Sequence, residues 1–195
     1  MTHTLDFWFE FGSTYSYLTA MRISEAAAAR GVAVRWRPFL LGPIFAAQGW
    51  DTSPFNIYKA KGEYMWRDMA RRAARYGLPF QRPPETGPGA FPQNGLMAAR
   101  MALIGLDANW GEAFCRNVYS AQFAHGQDIA DVALLERLAD KLGIGAGETD
   151  KDGRFTLRPV RCLGLCALSP SMRIDGESFG RLTPDRLPRI LERFE

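Results

Sequence analysis

The stretch that decides the fold is Phe7–Leu18, FWFEFGSTYSYL, because it joins a strand directly to a helix. Apolar and other side chains alternate up to Gly12, which predicts a strand from about residue 4 to residue 11. Ser13 then begins a helix, where its short polar side chain suits the N-cap. A serine at such a junction also lies where backbone N–H groups and the helix dipole favour negative charge. Two roles are therefore open for Ser13, a plain helix cap and an anchor for a bound thiolate.

The residues that follow complete a strand–helix–strand unit. Residues 15–30 have the composition of a helix with one apolar face, and Gly31 is a suitable end for it. Alternation over residues 32–37 predicts a second strand that ends near Pro38. A connection this short predicts a parallel pair of strands with a right-handed crossover.

Residues 42–143 have a mainly helical pattern. After a loop with a short helix near residues 44–48, the predicted helices are residues 62–77, 94–104 and 109–123, and a last one that Asp128 or Asp131 caps and Gly143 ends. The final part of the chain returns to strand patterns. Pro170 precedes a hairpin predicted from residues 172–174 and 178–181, and Thr183 caps a last helix.

This order of elements is that of a thioredoxin fold. The sequence therefore predicts an α/β protein with a thioredoxin-like fold, in which a helical insertion separates the βαβ and ββα halves. We expect residues 1–41 and 144–195 to form the thioredoxin-like domain and residues 42–143 to form the inserted helical domain.

Composition narrows the classes of function. The 195 residues carry a net charge of +3 and are 47% hydrophobic, which is ordinary for a globular protein. The chain has no basic cluster interleaved with exposed aromatic residues, which is the pattern that would predict nucleic-acid binding. It also has no apolar run with the length of a membrane span. The N-terminus shows no secretory signal, and three cysteines do not make a disulfide framework. We therefore expect a cytoplasmic protein that binds neither nucleic acid nor membranes.

The turn at Ser13 lacks the chemistry that a thioredoxin fold usually carries there. The usual C-x-x-C is replaced by Ser13-Thr14-Tyr15-Ser16, so this turn cannot exchange disulfides. A hydroxyl can still donate to the sulfur of a bound thiol and lower its pKa. The proline that faces this turn in the fold, usually after a cis bond, corresponds to Pro170 after Ser169. We therefore predict a glutathione site that contains Ser13, Ser169 and Pro170.

The first two-thirds of the chain resembles the 2-hydroxychromene-2-carboxylate isomerase family, in FEFGSTYSYL, VRWRPFLLGPIFAAQGWDTSPFNIY, AKGEYMWRDM and FPQNGLMAAR. That family is related to kappa-class glutathione transferases and to DsbA. The resemblance implies bound glutathione, a small aromatic substrate and a possible homodimer. It gives Ser13 the role of activating the glutathione sulfur, and many members have Pro at the position of Thr14. It also marks Asn56, Lys61 and Asn94 as candidate contacts to substrate or glutathione.

The mechanism implied by this resemblance is nucleophilic. The glutathione thiolate adds to an electrophilic carbon of a ring-closed hydroxychromene, the ring opens, a bond rotates, and elimination gives the trans isomer. Ser13 would stabilise the sulfur anion, and a cation such as Lys61 would hold the substrate carboxylate.

From about residue 132 the chain resembles the 24-kDa [2Fe–2S] subunit of NADH dehydrogenase and the gamma subunit of NAD-dependent formate dehydrogenase. The resemblance lies in LLERLADKLGIGAGETDKDGRFTLRPVRCLGLCALSP and GRLTPDRL. It makes Cys162 and Cys166 candidate cluster ligands, but the other two ligands of that family come from a C-x4-C. The corresponding residues 120–126, SAQFAHG, contain no cysteine, and a cluster needs four ligands.

Several alternatives stay open for these cysteines. Cys115 and His125 could complete a ligand set, two chains could each supply a pair, or Cys162 and Cys166 could pack beneath the turn before Pro170. The sequence thus leaves three hypotheses: a glutathione-dependent isomerase, a [2Fe–2S] electron-transfer module, and a chimeric thioredoxin-like scaffold without activity.

Overall fold

A computed structural model describes residues 3–108, 110–142, 172–174, 177–179, 189–190 and 193. The chain divides into two compact units, Met1–Gly143 and Ile144–Glu195, and each is described by itself. Most of the predicted last helix, which Thr183 would cap, lies outside the described residues. In the described part of the chain, no helix is long and apolar enough to cross a membrane.

The first unit begins with the predicted strand–helix–strand arrangement. Strands β1 (His3–Phe9) and β2 (Val32–Pro38) pair in parallel, with His3 opposite Val32 and Phe9 opposite Pro38. This confirms the parallel pair. Strand β1 ends at Phe9, two residues before the predicted end. Glu10 therefore lies outside the strand, and the alternation of strand side chains does not predict whether it is exposed.

The predicted single helix between these strands is wrong, because the chain forms two helices there. They are α1 (Thr14–Ala20) and α2 (Ile23–Ala28), and Arg22 between them has φ −131° and ψ −21°. The Arg22 guanidinium lies 3.5 Å from the centre of the Tyr76 ring. This cation–π contact joins residues far apart in sequence, and local helical pattern does not predict it.

Within residues 39–142, apart from residue 109, the structure describes six further helices, and all the predicted helical segments of this region are present. They are α3 (Leu41–Ala47), α4 (Pro54–Ile57), α5 (Lys59–Arg75), α6 (Leu96–Asp107), α7 (Gly111–Phe123) and α8 (Val132–Asp140). Asp131 is the cap of α8, and its carboxylate accepts the backbone N–H of Ala133.

One close approach fixes α5 against α4. A Cβ added to Gly62 would lie 2.3 Å from the carbonyl oxygen of Phe55, so only glycine permits this packing. The contact holds Phe55 beside the first turns of α5.

One hydrophobic core serves the strands and the helices of the first unit. Phe9, the last residue of β1, is fully buried, and its ring lies 6.2 Å from that of Tyr119 on α7. Helices α5, α6 and α8 add Met65, Ala98 and Leu135 to the same core. The first unit thus contains residues of both predicted domains, whose boundaries at residues 41 and 144 stay predictions.

The described part of the second unit is a hairpin. Strands β3 (Met172–Ile174) and β4 (Glu177–Phe179) pair antiparallel, which confirms the predicted hairpin. The Arg193 guanidinium lies 3.2 Å from the carboxylate of Glu177 and 5.6 Å from the centre of the Phe179 ring.

Candidate functional site

Ser13 lines a cavity of about 210 Å³ in the first unit. The turn between β1 and α1 forms one wall, with Glu10, Gly12 and Thr14 beside Ser13. Helix α3, the loop after it and the segment before α6 complete the cavity, through residues that include Phe45, Trp50, Phe91 and Gln93. Distant parts of the sequence therefore meet at the turn that contains Ser13.

The hydrogen bonds of Ser13 leave its hydroxyl proton available. Its Oγ accepts the backbone N–H of Ser16 at 3.3 Å, and this makes Ser13 the N-cap of α1. Its own backbone N–H donates to the carbonyl oxygen of Glu10 at 3.0 Å. Since Oγ accepts one bond from the backbone, the hydroxyl keeps its O–H donor and one further lone pair. The cap is present, and the same hydroxyl lies on the cavity wall.

Helix α5 fixes the residues that follow Ser13. The Thr14 hydroxyl donates to the Met65 sulfur at 3.3 Å, and the Tyr15 hydroxyl donates to the Asp68 carboxylate at 3.2 Å. Arg71 and Arg72 also donate to Asp68, and the Arg71 bond in particular lowers the pKa of its carboxyl. Contacts of Thr14 and Tyr15 with α5 thus fix the turn, and these contacts do not involve the Ser13 side chain.

Glu10 is the residue of this cavity that reasoning from the sequence missed. Alternation along the predicted strand treated it as equivalent to the exposed Trp8, yet its side chain is only 8% exposed. Burial raises the pKa of its carboxyl to about 7. A hydrogen bond from the backbone N–H of Gly12 lowers the pKa but does not offset the effect of burial. The sequence feature that could have indicated this burial is a pair of glycines, Gly12 and Gly95, because both lie close to the Glu10 carboxylate. A Cβ added to either would lie 3.1 or 3.3 Å from a carboxylate oxygen of Glu10.

A second cavity of about 390 Å³ adjoins the first. Phe55 and Phe91 line both cavities, and Trp66 adds a third aromatic wall to the larger one. Lys59 and Arg82 contribute cationic groups there. The Arg82 guanidinium donates to Glu63 at 2.7 Å and lies 5.5 Å from the centre of the Trp66 ring. The two cavities together place a hydroxyl, aromatic faces and cations along one surface of the first unit.

The structure gives the three predicted substrate contacts different surroundings. Asn56 lines the larger cavity, and its Nδ2 donates to the Thr52 hydroxyl at 3.1 Å. Lys61 and Asn94 are exposed and are among the lining residues of neither cavity. The Lys61 ammonium lies 5.9 Å from the centre of the Phe55 ring, and the Asn94 carbonyl oxygen accepts the backbone N–H of Leu96.

The other predicted site residues, Ser169, Pro170, Cys162 and Cys166, lie outside the described residues, and their roles stay predictions. Across the described ranges, no group of three or more His, Cys, Asp or Glu side chains could hold a metal ion. Cys115 is fully buried, and burial raises the pKa of its thiol far above the usual range. His125 is exposed, and its Nδ1 lies 3.0 Å from the carbonyl oxygen of Ser120. Cys115 could become a metal ligand only by leaving the core.

Two family matches divide the chain, as predicted. Residues 4–154 match the family described as a DSBA-like thioredoxin domain, and residues 121–195 match the thioredoxin-like [2Fe-2S] ferredoxin family. The matches overlap over residues 121–154, which include α8. The two resemblances found in the sequence are confirmed.

Solved structures confirm the thioredoxin-like fold. A structure of 2-hydroxychromene-2-carboxylate isomerase aligns with a TM-score of 0.56 at 23% identity, over 97% of this chain and 93% of that one. A probable DsbA oxidoreductase from Streptomyces coelicolor aligns with a TM-score of 0.55 at 18% identity, over 73% and 64%. Identities this low establish a shared fold and leave the activity open.

Two curated relatives each match about a third of the chain. The E subunit of NADH-quinone oxidoreductase from Escherichia coli (strain K12) is 48% identical over 63 residues, which are 32% of this chain and 36% of that protein. Its counterpart from Pseudomonas aeruginosa is 42% identical over 62 residues, or 32% and 37%. The chain thus spans about a third of the length of these relatives.

Proposed function

This chain belongs to the DSBA-like thioredoxin domain family, and we propose that it acts as a glutathione-dependent isomerase of the 2-hydroxychromene-2-carboxylate isomerase type. The observation that carries the proposal is the Ser13 hydroxyl, free to donate on the wall of a cavity that adjoins an aromatic and cationic one. Oxidoreductase chemistry at this turn is disfavoured because residues 13–16 contain no cysteine.

The residues present fit the thiol end of glutathione. Gly12 lets the turn approach Gln93 closely on the cavity wall, since a Cβ there would lie 3.1 Å from the carbonyl oxygen of Gln93. Phe45 and Trp50 offer apolar surface opposite the turn. When bound, glutathione would supply the nucleophilic thiolate that the turn at residues 13–16 lacks. The Ser13 hydroxyl would donate a hydrogen bond to the sulfur, which favours the charged form and lowers the pKa of the thiol.

The larger cavity supports an aromatic carboxylate as substrate. Phe55, Trp66 and Phe91 offer faces on which a ring can stack. Lys59 lines this cavity and has no ion pair within the described ranges, whereas Arg82 is paired with Glu63. Lys59 and Asn56 therefore hold the carboxylate in our proposal, and Lys61 remains a candidate beside Phe55.

Calorimetric titration with glutathione tests the proposal. Wild type should bind glutathione at up to millimolar concentration, and the thiolate absorbance of the bound ligand should persist to lower pH than that of free glutathione. Ser13→Ala should raise the pH at which this absorbance appears and reduce isomerase turnover by about 100-fold, because it removes one donor to the sulfur.

Two controls make this test specific to the sulfur. S-methylglutathione has no thiol proton, so it should not distinguish Ser13→Ala from wild type. Thr19→Ala removes an exposed hydroxyl from the same helix, one that donates to the Tyr15 carbonyl oxygen and does not line the cavity. Absence of glutathione binding at millimolar concentration would rule out the proposed function.

The match of residues 121–195 favours a second candidate, a [2Fe–2S] electron-transfer module. One chain does not supply four cysteine ligands, since it has three cysteines and Cys115 is buried in the core. We therefore expect anaerobic reconstitution with iron and sulfide to leave the protein colourless and free of iron. A stable visible chromophore that is lost in Cys162→Ser would revive this candidate. The third hypothesis, a scaffold without activity, predicts neither glutathione binding nor iron.

Partners and location remain proposals as well. We propose a cytoplasmic homodimer that binds neither nucleic acid nor membranes, and sedimentation equilibrium of the full chain tests its oligomeric state.

A further inference from the structure

Glu10 and Ser13 belong to one turn and line one cavity. The Ser13 backbone N–H donates to the Glu10 carbonyl oxygen at 3.0 Å, and the Tyr119 hydroxyl donates to the same oxygen at 2.9 Å. Both contacts fix the Glu10 backbone, and both leave its carboxyl group free. Glu10 is among the residues that line the cavity beside Ser13. A ligand atom held at Ser13 therefore enters a space that Glu10 also lines.

Among the described residues, no cation balances the Glu10 carboxyl. Gly12 donates its backbone N–H to the carboxylate, Gly95 at the start of α6 packs against it, and Gln93 lies on the same cavity wall. In the described part of the chain, no Lys, Arg or His side chain forms an ion pair with Glu10. The titratable neighbours are Tyr119, whose own pKa burial raises well above the usual range, and Asp51 on the cavity wall.

A carboxyl buried in this way is poorly explained by a structural role. Buried carboxylates that hold a fold together pair with cations or accept several N–H bonds, because an unpaired buried charge is costly. Burial raises the pKa of Glu10 to about 7, so the group can bind and release a proton near neutral pH. Glu10 lines the cavity in which a thiol bound beside Ser13 would be deprotonated.

We propose that Glu10 accepts the proton of the thiol that binds beside Ser13 and returns it when the thiol leaves. This inference rests on the proposed function. The S–H bond breaks, its electron pair stays on sulfur, and the proton moves to a carboxylate oxygen of Glu10. The cavity then holds one thiolate and one neutral acid, so its net charge does not change. Ser13 donates to the anion that forms, and Glu10 avoids a second negative charge next to it.

Proton counting by calorimetry tests this assignment without measuring turnover. Full-length protein is titrated with glutathione in two buffers of different ionisation enthalpy, slightly above neutral pH, and the difference in heat gives the protons released on binding. Wild type should release few protons, because Glu10 takes up the one that the thiol loses. Glu10→Gln should release about one proton more per glutathione, because glutamine cannot accept it.

Matched controls assign the proton to its source. Asp51→Asn changes another acid of the same cavity and should leave the count as in wild type. S-methylglutathione should release no proton with either Glu10→Gln or wild type. The infrared difference spectrum of wild type gives a measurement without any variant, in which a protonated carboxylic acid band should appear when glutathione binds.

The outcomes separate the two proposals. Glutathione binding with the same proton release in wild type and Glu10→Gln would overturn the role of Glu10 and leave the proposed function standing. Binding without a new carboxylic acid band in wild type would have the same meaning, even if Glu10→Gln does not fold. Absence of binding in wild type would overturn both.

Discussion

Two buried carboxyl groups lie on either side of helix α1, and they have opposite surroundings. Glu10 precedes the helix and is 8% exposed, while Asp68 on α5 accepts a bond from Tyr15 of the helix and is 6% exposed. Asp68 also accepts bonds from Arg71 and Arg72. Among the described residues, the carboxyl of Glu10 has the backbone N–H of Gly12 as its donor and no cation.

This difference teaches that burial alone does not identify a functional acid. Arg71 and Arg72 lower the pKa of Asp68, so it stays ionised and ties the turn to α5. Burial without a cation raises the pKa of Glu10 to about 7, so that group changes charge in the range where proteins work. Whether a buried carboxyl has a cationic partner therefore decides whether the carboxyl forms a structural ion pair or can bind and release a proton near neutral pH.

The largest expected effect that tests the comparison is the pH dependence of stability in Glu10→Gln. The folded-state pKa of Glu10, about 7, lies above the unfolded value of 4.5, so wild type gains stability from this group below pH 4.5 and loses it as pH rises through 7. Glutamine carries no charge and lacks this loss. We expect the stability of the variant relative to wild type to grow by about 2.5 kcal/mol from pH 5 to pH 8.

Urea unfolding at both pH values measures this effect, with Glu25→Gln, an exposed glutamate on α2, as the matched control. A difference between Glu10→Gln and wild type that does not change with pH would show that Glu10 is not a buried proton carrier.

A smaller effect is expected from crowding the Glu10 carboxyl. Gly12→Ala adds a Cβ 3.1 Å from the Gln93 carbonyl oxygen and 3.1 Å from a carboxylate oxygen of Glu10. The backbone oxygen cannot move freely, so the variant should lose about 1 to 2 kcal/mol of unfolding free energy. Gly42→Ala is the matched control, since it lines the same cavity but no atom lies within 4 Å of its added Cβ. Equal stability of the two variants would contradict the tight packing around Glu10.

The smallest effect is expected on the other side of the comparison. Asp68→Asn removes the charge that Arg71 and Arg72 bind, but both arginine side chains are largely exposed, so solvent and salt screen these pairs. Because the pKa of Asp68 is lowered, its contribution is present above the unfolded value of 3.8 and is lost as pH falls below it. The thermal midpoint of the variant should therefore be lower than that of wild type at neutral pH and low salt. The difference should shrink in high salt and in strong acid, and a difference that persists there would show that the role of Asp68 is not electrostatic.

Local patterns predicted much of the fold and the centre of the site. Alternation predicted both strands of the first unit. Short polar residues predicted the cap at Ser13 and a second cap at Asp128 or Asp131, and the structure has it at Asp131. The break at Arg22 was not predictable, because the Tyr76 ring that binds its guanidinium lies 54 positions away in sequence. The sequence also did not predict that Lys59, and not Lys61, lines the larger cavity. Lys59 and Lys61 lie about 200° apart around a helix, and the packing of α5 against α4 decides that Lys59 lines the cavity.

The sequence alone shows that the turn after β1 carries a hydroxyl and no sulfur, and that residues 120–126 lack the C-x4-C that would complete a ligand set with Cys162 and Cys166. Those conclusions follow from residue types alone. Tertiary packing, and not the local sequence, buries Glu10 with no cation among the described residues and Asp68 with two. The physical reason is that solvent is excluded from a carboxyl by groups far away in the chain. For Glu10 those groups include Gln93 and Gly95, and no local pattern of residues reports their approach.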